Sequence, residues 1–61
     1  MNSEVIYCEW LAMGEPIERK MEMPEAIERF NIKIKAIEGY LFKDLCFIGI
    51  KDLSNNWIMK N

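Results

Sequence analysis

Cys8 and Cys46 are the only thiols in this chain of 61 residues, and Ser3, Ser54, Tyr7 and Tyr40 are its only hydroxyls. A nucleophile needs a base beside it, and the sequence contains no histidine. Ser3 sits near the terminus and Ser54 in a turn-like run, and nothing in the spacing pairs either cysteine with a lysine or an aspartate. Acyl or phosphoryl transfer is therefore not expected. No catalytic residue is assigned, and the chain is not expected to be an enzyme.

Metal binding needs clustered His, Cys or carboxylate ligands. Glu15, Glu18 and Glu22 come nearest to a cluster, but on a strand Glu15 faces away from the other two. Gly14, Gly39 and Gly49 are too scattered for a phosphate-cradling loop. No metal or cofactor is expected.

Binding by charge is a thin reading. The net charge is −2 and the isoelectric point about 5.0, with residues 1–30 carrying −4 and residues 31–61 carrying +2. Lys33, Lys35, Lys43, Lys51 and Lys60 alternate with Tyr40, Phe42 and Trp57 as a sparse version of a nucleic-acid surface. In the opposite sense, Glu4, Glu9, Glu15, Glu18, Glu22, Glu25 and Glu28 could imitate a phosphate backbone, for which −2 is weak.

Protein contact needs only exposed anchors. Trp10 and Trp57 are the best candidates, since tryptophan is enriched where binding energy concentrates. Ile32 and Ala36 are the other two, because they fall roughly opposite the apolar face of the one long helix.

That helix is expected over Met23–Gly39. Ile27, Phe30, Ile34 and Ile37 share one face at about 100° per residue. Pro24 suits a first helical position, Glu25 pairs with Arg29 four residues on, and Gly39 suits the stop. The stretch Asn31–Ile37 has enough β-branched residues to be read as strand too.

The remaining elements read as strands. Residues 4–13 put Val5, Tyr7 and Leu11 on one face and Ile6, Cys8, Trp10 and Ala12 on the other, apolar on both sides except for Glu9. Gly14-Glu15-Pro16 turns the chain. Residues 17–23 alternate, with Ile17, Arg19, Met21 and Met23 inward, and pair with the first strand as a hairpin. A connector, Gly39–Asp44, leads to a strand over residues 45–51, where Gly49 implies a bulge or a close approach. The polar run Asp52–Asn56 then turns into a last short strand, Trp57–Lys60.

The expected fold is α+β: a small antiparallel sheet in ββαββ order with one helix packed on one face, residues 1–61 forming a single small domain. With 51% hydrophobic residues and a first strand apolar on both faces, a homodimer is expected, sharing an interface at Trp10 or its neighbours. The opening MNSEVIYCEW lacks the basic start of a signal peptide, and LCFIGI is far too short to span a bilayer. A cytoplasmic location with reduced thiols is expected.

The functional expectation is a small non-catalytic protein-binding module. Its size and its Ile-, Lys- and Asn-rich composition suit a phage or mobile-element inhibitor that blocks a host protein, such as a defence system. The alternatives are a small nucleic-acid-binding regulator and an accessory subunit of a larger complex.

Overall fold

A computed structural model of the chain describes residues 3–11, 14–41 and 43–61. Four strands and one long helix follow in the order β1 (Glu4–Trp10), β2 (Ile17–Glu22), α1 (Met23–Ile37), β3 (Phe47–Lys51) and β4 (Trp57–Lys60), with a short 3-10 turn at Lys43–Leu45 before β3. The strands form one antiparallel sheet in the order β2-β1-β3-β4. The fold is the expected α+β arrangement, with the helix on one face of the sheet.

Alternation decides what each face holds. Val5 and Tyr7 of β1 point toward the helix with Met21 of β2, Ile48 and Ile50 of β3 and Met59 of β4. From the helix come Ala26 and Ile37, both buried, flanked by Met23, Ile27, Phe30 and Ile34. Tyr7, Ile48 and Ile50 are fully enclosed, and burying side chains of this size is worth about 1.5–3 kcal/mol each.

The helix runs unbroken through Asn31–Ile37, so apolar periodicity prevails there over β propensity. Its start lies one residue earlier than expected: Glu22 is the N-cap, Met23 the first helical residue and Pro24 the second. Glu22 makes no side-chain capping bond. Ser3 acts there instead, its carbonyl accepting from Met23 N–H at 3.0 Å and its hydroxyl donating to Glu22 Oε2 at 2.8 Å. At the other end Gly39 does not take a left-handed conformation. The helix closes by tightening, as Glu38 N–H bonds Lys35 O and Tyr40 N–H bonds Ile37 O.

β4 spans Trp57–Lys60 as expected, and the other three strands are shorter than expected. β1 ends at Trp10, and the assignments of Ala12, Met13 and Phe42 lie outside the described residues. β2 ends at Glu22 because Met23 begins the helix. Of its helix-side residues only Met21 is buried, and Ile17 stays exposed, since the helix packs mainly over the central strands. β3 begins at Phe47, with Leu45 exposed in the 3-10 turn and Cys46 in the core.

The last hairpin is fixed by two residues. Asp52 Oδ1 accepts from Ser54 N–H at 2.8 Å and from Asn56 N–H at 2.9 Å, while Asn55 takes the left-handed conformation that asparagine tolerates, at φ 70°. Asn61 clips the start of β3: its Oδ1 accepts from Ile48 N–H, and its Nδ2 donates to Cys46 O, both at 3.0 Å. Both cysteines are buried, and no disulfide joins them.

Candidate protein-contact surface

The sheet face away from the helix has no covering element among the described residues. Cross-strand register assembles it row by row. Glu22 and Glu4 form one end. The next row is Lys20, Ile6, Lys51 and Trp57, followed by Glu18, Cys8, Gly49 and Lys60, and the far end is Trp10 and Phe47.

Three aromatic rings on β1, β3 and β4 cluster toward the far end of this face. Trp10 and Phe47 are cross-strand partners with ring centroids 5.2 Å apart, and Phe47 meets Trp57 edge-on at 5.0 Å. The geometry is the one aromatic quadrupoles favour. Trp57 reaches Phe47 by lying across Gly49: a β-carbon at Gly49 would stand 2.8 Å from Trp57 Cζ3 and 3.2 Å from the Met59 carbonyl oxygen. The sequence expectation of a close approach at Gly49 is met by this ring. A register shift of β4 opposite Ile50 and Lys51 leaves Ile58 as an extra residue beside it.

The cluster covers part of its own face and no more. Trp10 remains 40% exposed and Trp57 39%. Lys51 Nζ lies 5.5 Å from the Trp57 ring centroid and 3.6 Å from Glu18 Oε1. Beneath these groups Cys8 is wholly buried. Burial pushes its thiol above the ordinary value, with Glu18 adding to the rise and Lys51 opposing it. A thiol so enclosed, and so disinclined to ionise, is no nucleophile.

The other sequence-derived candidates lie elsewhere. Ile32, 61% exposed, and Ala36, also exposed, are on the helix and therefore on the opposite side of the molecule from Trp10 and Trp57. The four residues form two surfaces. Phe47 carries no signal in the sequence beyond its parity with Gly49 and Lys51 on β3, which puts it on one face with them.

The charges divide in the same way. Lys33 and Lys35 ride on the helix, Lys43 starts the 3-10 turn, and Lys51 and Lys60 are on the open sheet face. The lysines that a nucleic-acid surface would need thus point to different sides. The acidic set is split too, with Glu25 and Glu28 on the helix and Glu4, Glu18 and Glu22 on the sheet face. Among the described residues no group of three or more His, Cys, Asp or Glu side chains is gathered as for a metal ion.

On the helix side one polar group penetrates the core edge. Tyr7 Oη donates to Glu9 Oε2 at 2.7 Å, and Lys33 Nζ stands 3.7 Å from Glu9 Oε1. Burial, then the bond to Glu9, raises the Tyr7 phenol well above its ordinary value. Arg29 pairs with Glu25 at 3.6 Å along the helix. Of these contacts Lys33–Glu9 joins helix to sheet, and none of them brings a nucleophile and a base together.

No helix is long and apolar enough to cross a membrane among the described residues. Comparison with protein-family models, with curated proteins and with solved structures gives no match.

Proposed function

We propose that this chain is a non-catalytic protein-binding module whose contact surface is the open sheet face. The observation that carries the reading is the Trp10–Phe47–Trp57 cluster, about three-fifths buried at each tryptophan and without a covering element among the described residues. Half-exposed tryptophans in a packed cluster are the groups that concentrate binding energy when a second protein completes their burial. The charge on this face also suits a protein. Glu4, Glu18 and Glu22 balance Lys20, Lys51 and Lys60, which leaves the face neutral beside its aromatic end and without excess for a phosphate backbone.

A chain of this size without reaction chemistry acts by occupying a surface. Blocking a host protein, as a phage or mobile-element inhibitor does, is the form of action we favour. The test is affinity capture from a bacterial lysate with the wild type and a Trp10→Ser/Trp57→Ser variant, read by mass spectrometry and by nucleic-acid staining. The reading expects proteins retained by the wild type and lost by the variant. Retention of nucleic acid instead, weakening steeply with salt, would favour a nucleic-acid-binding regulator.

A further inference from the structure

We infer that the open sheet face is closed by a second copy of this chain, stacked face to face about a two-fold axis that runs along the strands between β1 and β3. This deepens the reading above, since it rests on the same face and names what covers it.

The argument is the self-complementarity of the rows. Such an axis lays β2 of one copy over β4 of the other and β1 over β3, each row over its own equivalent. In the central row Glu18 on β2 then faces Lys60 on β4 of the other copy, twice by symmetry. Trp10 faces Phe47 of the other copy, again twice. Between them Cys8 and Gly49 are buried within their own copy, and the Trp57 ring lying over Gly49 is what this part of the row presents. Aligned sheets cross at about 30°, which shifts the outer strands by a few ångströms, within reach of the long Glu18 and Lys60 side chains. No acid is set against an acid in this row.

The edges argue for the face. β2 is an edge strand carrying Glu18, Arg19, Lys20 and Glu22, and β4 is four residues long with a register shift. Charge, shortness and bulges are what prevent edge-to-edge pairing. The result is a layered helix–sheet–sheet–helix particle in which both helices point outward, leaving Ile32 and Ala36 open to a further protein.

Size sets the strength. Four strands about 4.8 Å apart and about five residues long project roughly 300 Å² per copy, well below the roughly 800 Å² per partner of a stable complex. The dimer is accordingly a weak one, formed only at high protein concentration.

The experiment is sedimentation equilibrium on wild type, Glu18→Lys, Lys60→Glu and the double variant, with circular dichroism confirming each fold. The wild type should dimerise below about one millimolar, each single reversal should weaken dimerisation by roughly tenfold, and the double variant should restore it. Within one copy Glu18 and Lys60 are three strand spacings apart, about 14 Å, so restoration can only be intermolecular. The Glu18–Lys51 pair stays broken in the double variant and cannot produce it. A wild type monomeric at one-millimolar loading, or a double variant no tighter than the singles, overturns the inference. If that protein still captures another protein through Trp10 and Trp57, only the second copy is refuted. If capture is lost as well, the contact-surface reading falls with it.

Discussion

Gly49 and Trp57 occupy the same space in the sense that only glycine lets the ring lie where it does: a β-carbon on Gly49 would be 2.8 Å from Trp57 Cζ3 and 3.2 Å from the Met59 carbonyl. The ring could swing away, but the carbonyl belongs to the β3–β4 ladder. Gly49→Ala should therefore displace Trp57 from Phe47 and cost about 1–3 kcal/mol, the usual penalty for overpacking. Urea denaturation gives the cost, and a red-shifted tryptophan emission reports the displaced ring.

Gly39 makes the opposite case. It has no left-handed conformation, and an added β-carbon would meet nothing within 4 Å. Gly39→Ala should stabilise the fold by about 0.4–1 kcal/mol through the unfolded chain's lost freedom. A higher urea midpoint at unchanged slope is the expected outcome.

The hairpin carboxylate supplies an acid limb. The Asn56 N–H, opposed by desolvation and helped by the Ser54 N–H and the Asn56 side chain, holds Asp52 below the usual carboxylate range. The folded value is depressed, so its stabilisation is full above the unfolded value of about 3.9 and is lost as pH falls through the folded one. Asp52→Asn should flatten the stability profile below about pH 4, while its amide oxygen still accepts from the turn.

Tyr7 gives the alkaline counterpart. Burial and Glu9 raise its phenol above the ordinary value, so its contribution is intact below the unfolded value of about 10 and declines as pH rises beyond it. Tyr7→Phe should remove that decline. At neutral pH it should cost about 1–2 kcal/mol, because Glu9 Oε2 loses its donor while Glu9 Oε1 keeps Lys33.

Much of this architecture was legible in the residues, for reasons that are themselves local. The spacing of Ile27, Phe30, Ile34 and Ile37 specifies a helix face, and the alternation Val5, Tyr7 against Ile6, Cys8, Trp10 specifies two sheet faces. Ala26, the most enclosed helical residue, leaves little mark on the sequence because a methyl group adds little to an apolar pattern. The helix ends were misplaced by one residue or by conformation. Their partners, Ser3 for the start and a tightened turn for the end, are set by tertiary structure and by hydrogen bonding that composition does not reveal. The candidate surface was half legible. Trp10 and Trp57 were evident as anchors, but Phe47 joins them only through the register of β1 with β3, a pairing across 37 residues of chain. That register also separates them from Ile32 and Ala36.

Trp10 and Trp57 are the only tryptophans in the chain, and both stand on the open sheet face. Acrylamide quenching of their fluorescence therefore measures directly whether that face is covered. Across a series from submicromolar to several hundred micromolar protein, the account predicts that quenching falls as the second copy closes over the rings. Glu18→Lys should shift that fall to higher concentration. Quenching that stays constant over the whole range, at the level of half-exposed rings, would contradict it.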